Sequence, residues 1–156
     1  MLPAISEYDV APPAGSPAPP ASLAPTLMQM LTEFHQAFGQ TVGTDPTEPP
    51  SVADVRLRTR LMAEETGEYL FAEGTGDVLE IAQELSDIVY IAFGTAVTYG
   101  IDLLAVVAEV HRANMSKLDG NGLALYDANG KVLKGPNYEK PNIARALGIP
   151  WTEELF

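Results

Sequence analysis

Apolar residues recur at three- and four-residue spacing in four separate stretches of the chain, and this spacing predicts four amphipathic helices. Ser51, Asp77 and Asp102 stand where the second, third and fourth stretches begin, and their side chains are expected to cap those helices. Glycines and prolines follow the stretches and are expected to end them. The predicted ranges are 25–40, 51–74, 77–99 and 102–118. Because the second and third connections are short, the pattern favours an all-α four-helix bundle.

The segments outside these helices differ in composition. Residues 1–25 hold seven of the thirteen prolines and are expected to form an extended N-terminal arm, residues 26–140 the domain, and residues 141–156 a C-terminal tail. Between residues 119 and 134, two short apolar runs surround a turn that ends in glycine, which predicts a small β-hairpin. A calcium-binding loop is rejected for this region because Leu123 stands where an oxygen ligand belongs.

The composition narrows the class of protein. With 156 residues the chain is long enough for one domain of ordinary size. Cysteine is absent, which excludes disulfides, Cys-ligated metals and a thiol nucleophile, and fits a reducing cytoplasm. No apolar run reaches the length of a membrane helix, and the N-terminus lacks the basic residues of a signal peptide. The net charge of −12 disfavours nucleic acids and anionic membranes as partners, so we expect a cytoplasmic protein that binds a small molecule.

The acidic residues are concentrated in one part of the chain. The range 61–110 contains ten Asp and Glu residues and no Lys or Arg. These carboxylates are either a solvated surface or are neutralised by a divalent cation. Helical phase favours the cation, because the apolar stripe of the second helix continues through Glu64 and Glu68, while Glu84 and Asp87 run beside the apolar line of the third. Without a counter-charge, burial would cost several kcal/mol for each carboxylate.

The spacing of these acids forms a two-part motif. It reads Glu64-Glu65-x-x-Glu68, then fifteen residues, then Glu84-x-x-Asp87. A single such pair is common on exposed helices, but two pairs on neighbouring helices, both phased to the core, are far more specific. The motif resembles that of the all-α NTP pyrophosphohydrolases, which include the MazG-like proteins, the dimeric dUTPases and phosphoribosyl-ATP pyrophosphohydrolase.

The resemblance covers roughly residues 27–140 and implies a site and a reaction. It implies that Mg²⁺, or Mn²⁺ in its place, is bound by four carboxylates: Glu65, Glu68, Glu84 and Asp87. It also implies catalytic roles for Glu64 and Glu65, with Glu64 or a neighbouring carboxylate taking a proton from water. The reaction implied is cleavage of a nucleoside triphosphate between its α and β phosphates, which gives a nucleoside monophosphate and pyrophosphate.

The fourth predicted helix supplies candidate substrate ligands. Its apolar stripe through Val107 and Val110 continues into Asn114 and Lys117, so one face changes from apolar to an amide and an ammonium group. A triphosphate needs such a counter-charge, and we expect Lys117 to hold a phosphate and Asn114 a phosphate, sugar or base. Three further bases are candidates for phosphate contacts: Arg112, Lys131 and Lys134. The two histidines, His35 and His111, are left out of the metal site because Mg²⁺ prefers oxygen.

The sequence therefore predicts a metal-dependent NTP pyrophosphohydrolase, with a deoxynucleotide such as dUTP favoured as substrate. Two alternatives stay open, namely phosphoribosyl-ATP hydrolysis in histidine synthesis and a non-catalytic helical module that binds metal or a partner. A homodimer or homotetramer is expected, because a single bundle would expose much apolar surface and the proteins that it resembles pair helices across subunits.

Overall fold

A computed structural model describes residues 25–150 of the chain. Within this range the protein is all-α, as predicted. Its five helices are α1 (Leu27–Ala37), α2 (Val52–Thr75), α3 (Val78–Tyr99), α4 (Leu103–Met115) and the short α5 (Ile143–Ala146). The predicted arm, apart from Pro25, and the last six residues of the predicted tail lie outside the described residues.

The helices begin and end at residues whose chemistry satisfies the free backbone groups. The predicted caps are confirmed: the side chains of Ser51, Asp77 and Asp102 accept hydrogen bonds from backbone N–H groups in the first turns of α2, α3 and α4. Gly76 and Gly100 follow α2 and α3 in the left-handed conformation, with φ of 72° and 67°, where a side chain would be strained. Local sequence thus determines the ends of α2 and α3.

Helix α3 is the centre of the fold, because both α1 and α2 pack against it. The apolar core is small and consists of Leu31, Phe93 and Val97, with Tyr90 and Leu103 among the partly buried side chains around it. Several large side chains on the other faces of these helices stay exposed to solvent, such as Leu70, Phe71, Leu79, Leu85 and Val89.

The predicted four-helix bundle is not closed within one chain. Helix α4 is bent away from α3 by 115° and packs against α5. The physical reason is polar: Glu109 of α4 is buried against Arg112 and the segment that contains Asn142 and Arg145, and these contacts hold α4 beside the C-terminal segment.

The predicted β-hairpin is not supported, because residues 25–150 contain a single antiparallel bridge, between Tyr126 and Val132, and no strand. The carboxylates of Asp119 and Asp127 instead accept hydrogen bonds from backbone N–H groups two and four residues further on, which closes two small loops. The runs between these loops are too short to extend the pairing, and no third strand supports them.

The described helices were compared with a membrane-spanning helix in length and hydropathy. None of the helices between residues 25 and 150 is long and apolar enough to cross a bilayer alone. Helices α3 and α4 meet the criterion only when they are taken together, and they are strongly bent at their junction.

Candidate metal and substrate site

The two acidic motifs face each other across α2 and α3. Glu65 and Glu68 are three residues apart, as are Glu84 and Asp87, so each pair lies on one side of its helix. Since α2 and α3 pack against each other, the two sets converge. One carboxylate oxygen each from Glu65, Glu84 and Asp87 lies within 4.8 Å of the other two, and all three residues are half-buried. Three oxygen donors at this spacing could bind one hard cation.

Glu68 and Glu64 extend this cluster. Burial raises the pKa of Glu65, and the negative charges of Glu68, Asp87, Glu64 and Glu84 raise it further. Burial likewise raises the pKa of Glu84, and the negative charges of Glu68 and Asp87 raise it further. A raised carboxyl pKa means that the folded state loses stability as pH rises above the ordinary value of 4.5. The acids therefore repel one another at neutral pH, and a bound cation would relieve that repulsion.

The donor set fits Mg²⁺ or Mn²⁺. Atom Oε2 of Glu84 is buried and has no hydrogen-bond partner in the described part of the chain. The three ion pairs between residues 25 and 150 all involve Glu109 or Arg112, so no basic side chain in that range pairs with the acidic cluster. A buried carboxylate oxygen left unpaired is costly, and a divalent cation with oxygen ligands would satisfy it.

A cavity of about 700 Å³ lies beside the cluster, between α2 and α3. Four glutamates form part of its wall, together with Phe71 and Gln83; these are Glu64, Glu68, Glu80 and Glu84. Its size would admit a nucleotide together with water. The residue Glu64 is exposed on this wall, where its carboxylate could accept a proton from water next to bound metal.

The structure does not bring Asn114 and Lys117 to the acids of the same chain. Asn114 is exposed on α4, and Lys117 follows the end of that helix. At a rise of 1.5 Å per residue, Asp87 lies about 18 Å along α3 from the α3–α4 junction, and Lys117 lies about 20 Å along α4 from it. With the 115° bend, the two backbones are on the order of 20 Å apart. Their side chains cannot meet across that distance.

Of the other predicted phosphate ligands, Arg112 lies on α4 and Lys131 and Lys134 follow α4, and two of the three contact the segment after α4. Arg112 donates Nε and Nη2 to the two carboxylate oxygens of Glu109, each at 2.9 Å, and Nη1 to Glu139 at 2.6 Å. Its charge is therefore used to hold the C-terminal segment, and we do not carry Arg112 into the proposed site. The ammonium group of Lys134 lies 4.7 Å from the centre of the Tyr138 ring, and Lys131 is exposed.

Both histidines lie outside the group of converging carboxylates. The imidazole of His35 is buried: Nδ1 donates to the Thr41 carbonyl at 2.7 Å, and Nε2 accepts from Arg58 Nη1 at 3.2 Å. Gly94 leaves the space that this pair needs, since a Cβ there would lie 3.2 Å from Nε2 of His35. His111 is exposed on α4 and does not belong to the group of converging carboxylates.

Sequence reasoning missed the role of Glu109. This carboxylate, only 8% exposed, accepts hydrogen bonds from two arginines and from the Asn142 backbone at 2.7 Å. The bond from Arg112 is the largest of the effects that lower its pKa to about 2, followed by the bond from Asn142. The pairing of Glu109 with Arg112, three residues further on in the same helix, was the available signal, whereas Arg145 is remote in sequence.

Acid should weaken the hydrogen bonds between Glu109 and the C-terminal segment. Because the pKa of Glu109 is lowered from 4.5 to about 2, its stabilising contribution is fully present above pH 4.5 and is lost as pH falls from 4.5 towards 2. We expect hydrogen exchange at the amide of Asn142, which bonds this carboxylate, to gain protection steadily from pH 3 to pH 5 after correction for intrinsic exchange. Glu109→Gln should remove this pH dependence, and an unchanged dependence in that variant would contradict the assignment.

The chain is similar to a known protein family and to a viral protein. The family model for phosphoribosyl-ATP pyrophosphohydrolase matches residues 31–114, more than half of the chain, and the matched range includes both acidic motifs. An uncharacterized protein of Acanthamoeba polyphaga mimivirus, L479, is 28% identical over 112 residues. That alignment covers 70% of this chain but only 42% of the viral protein, so the chain spans less than half the length of this relative.

Proposed function

Because this chain belongs to the phosphoribosyl-ATP pyrophosphohydrolase family, within the MazG-like NTP pyrophosphohydrolase superfamily, we propose that it hydrolyses a nucleoside triphosphate in a reaction that depends on Mg²⁺ or Mn²⁺. The bond cleaved is the anhydride between the α and β phosphates, and the products are a nucleoside monophosphate and pyrophosphate. Membership in a pyrophosphohydrolase family supports the reaction class, while the metal, the substrate and the bond are our proposal.

The convergence of Glu65, Glu84 and Asp87 is the observation that carries the proposal. Acidic clusters on protein surfaces are common, but this one combines half-burial, a buried oxygen without a partner and no paired base among residues 25–150. A solvated acidic face would have its oxygens directed into water. The arrangement instead suits the binding of a divalent cation, which in turn would bind a polyphosphate.

Each carboxylate has a distinct role in the proposed reaction. Glu65, Glu84 and Asp87 hold the cation, and Glu68 adds negative charge beside Glu84. Bound Mg²⁺ supplies positive charge at the phosphate oxygens and at the leaving pyrophosphate. Glu64, exposed on the cavity wall, accepts the proton of the attacking water. The neighbouring carboxylates would provide proton acceptors close to the attacking water.

Substrate choice is tested with a panel of compounds under Mg²⁺. The panel contains dUTP, the other deoxynucleoside and ribonucleoside triphosphates, and phosphoribosyl-ATP, and the assay detects pyrophosphate and orthophosphate separately. We expect pyrophosphate from a deoxynucleotide, with dUTP preferred. Phosphoribosyl-ATP is the second candidate, because the matched family carries that name. Release of orthophosphate alone would contradict the α–β bond, and metal binding without turnover of any compound would favour a non-catalytic module.

Metal binding should stabilise the fold. Since Mg²⁺ would bind the folded cluster and relieve its charge repulsion, metal at 100 times its dissociation constant should add about 2.7 kcal/mol to the free energy of unfolding. Thermal melts of chelator-treated protein, with and without Mg²⁺ or Mn²⁺, measure the effect. The control is Glu73→Gln, which removes an α2 carboxylate that bonds Tyr69 and is outside the cluster. This variant should keep the whole metal effect, whereas Glu65→Gln should lose most of it.

A further inference from the structure

The cavity between α2 and α3 has two chemically different ends. Glu64, Glu68 and Phe71 follow one another along α2 at helical spacing, so all three lie on the face that lines the cavity. Glu64 and Glu68 mark the end beside the converging carboxylates, which we call the acid end. Phe71 lies about 10 Å from Glu64 along the helix axis and marks the other end, which we call the aromatic end. A single hollow thus joins the candidate metal site to an exposed aromatic ring.

Phe71 places an aromatic ring in the wall of this cavity and leaves it uncovered. Its side chain is 76% exposed. The three close aromatic pairs among residues 25–150 all involve Phe34, so no ring of the described chain stacks on Phe71. One exposed apolar residue is ordinary on a protein surface. An exposed ring in the wall of a polar cavity, however, offers the flat apolar face on which nucleobases stack.

Gly67 lines the cavity between its two ends. Glycine is a poor helix former, yet this residue stands in the middle of α2. A Cβ at Gly67 would meet no atom within 4 Å, so packing within the described chain does not require a glycine here. Because Gly67 has no side chain, the path along α2 from the acid end to the aromatic end stays open.

The charges of the wall decide which part of a nucleotide suits each end. The range 61–110 contains no Lys or Arg, so phosphate groups would be repelled wherever no metal offsets the glutamates. At the aromatic end, the carboxylate of Glu80 accepts a hydrogen bond from Thr75 Oγ1 at 3.2 Å and adds negative charge. This end therefore suits the uncharged part of a nucleotide, for which Phe71 offers a ring and Gln83 a carboxamide with donor and acceptor groups.

We propose that Phe71 forms the nucleobase subsite of this cavity: the base stacks on the Phe71 ring, the sugar crosses Gly67, and the phosphates lie at the acid end. This inference rests on the proposed function, because it assigns the parts of the same substrate to the two ends. The distance of about 10 Å along α2 is comparable with the length of a nucleoside. Stacking tolerates any base, since every base has a π face, so Phe71 contributes affinity for nucleotides in general.

Steady-state kinetics test the subsite. Phe71→Ala should raise KM for the nucleotide that the wild type hydrolyses best by about tenfold, within the range that base–aromatic stacking gives, and should leave kcat near its wild-type value. Phe71→Tyr keeps a ring and should keep KM within about threefold of the wild type. Pyrophosphate has no base and should inhibit the wild type and Phe71→Ala alike. A residue that only supported the fold would show neither the rescue by tyrosine nor the unchanged inhibition.

Leu79→Ala is the matched control for these measurements. Leu79 is a large apolar residue near the same end of the α2–α3 pair and is 78% exposed, but it does not line the cavity. Its removal should leave KM unchanged. The subsite would be overturned by an unchanged KM in Phe71→Ala or by an equal rise in Leu79→Ala. It would also be overturned if pyrophosphate inhibition weakened in Phe71→Ala as much as KM rose.

Fluorescence tests base stacking without turnover. The chain has one tryptophan, Trp151, so combining Trp151→Phe with Phe71→Trp leaves a single indole at position 71. With Mg²⁺ present, α,β-imido-dUTP, which resists cleavage of that bond, should quench this indole saturably, whereas tripolyphosphate should not. Equal responses to the two compounds, or no response to the nucleotide, would overturn the subsite. If the wild type hydrolyses no compound in the panel, the proposed function fails, and this titration alone then decides whether a base stacks at position 71.

Discussion

Asp87→Asn should reduce kcat by more than about a hundredfold while leaving the helices folded, because it removes a carboxylate that converges with Glu65 and Glu84 within 4.8 Å. Asparagine keeps the size of the side chain but not the charge that the cation requires. It also lowers the repulsion in the cluster, so the metal-free variant should be at least as stable as the wild type at neutral pH. Loss of activity with a gain in metal-free stability distinguishes a ligand from a structural residue.

The measurement is pyrophosphate release at saturating Mg²⁺, combined with thermal melts in chelator. Glu73→Gln is the matched control, since it removes a carboxylate from the same region of α2 outside the converging group, and it should keep wild-type turnover. Activity within tenfold of the wild type in Asp87→Asn would argue against a metal-binding role for this residue.

Gly43→Ala should lower the free energy of unfolding by about 3 kcal/mol, because there is no space for a methyl group at this position. A Cβ on Gly43 would lie 2.5 Å from the Gly100 nitrogen and 2.6 Å from the Thr98 carbonyl oxygen. Both contacts are with backbone at the end of α3, which cannot rotate away as a side chain could. The Gly43 N–H also donates to the Val97 carbonyl at 2.9 Å, so the loop before α2 is fixed against the core helix at this point.

Gly74→Ala serves as the control for this substitution. Gly74 lies within α2, and a Cβ there meets no atom within 4 Å. Alanine is the better helix former, so this variant should gain up to about 1 kcal/mol. Chemical denaturation at fixed protein concentration measures both changes. If the two variants shift stability in the same direction, the close approach of Gly43 to α3 is not a feature of the folded protein.

The helices and the acidic site follow closely from local sequence. Ser51, Asp77 and Asp102 define the starts of three helices because capping depends on neighbours three residues away or fewer. The convergence of Glu65 with Asp87 could be anticipated as well, since helical phase fixes the side of each helix on which a residue lies, and a short connection makes α2 and α3 neighbours. These features depend on short-range geometry, which the order of residues determines.

The destination of α4 could not be predicted in the same way. Its pattern is that of any amphipathic helix. Such a pattern predicts that the apolar face packs against another surface, but it does not identify that surface. The deciding contacts join Glu109 to Asn142 and Arg145, more than thirty residues further along the chain. Helical spacing alone could pair Arg112 with Glu109, but its second partner, Glu139, lies 27 residues further along the chain, and spacing along α4 gives no sign of that contact.

The small core has a consequence for the stability of the protein at low concentration. Only six apolar residues in the described range are buried, and two of the three in the central cluster, Phe93 and Val97, come from one helix. Because so little apolar surface is buried, a single chain gains little free energy to offset the conformational entropy that it loses on folding. If copies must associate to cover the remaining faces, folding and assembly are a single equilibrium. The concentration of the protein in the cell would then determine its thermal stability as well as its total activity, and a low concentration would favour the unfolded state.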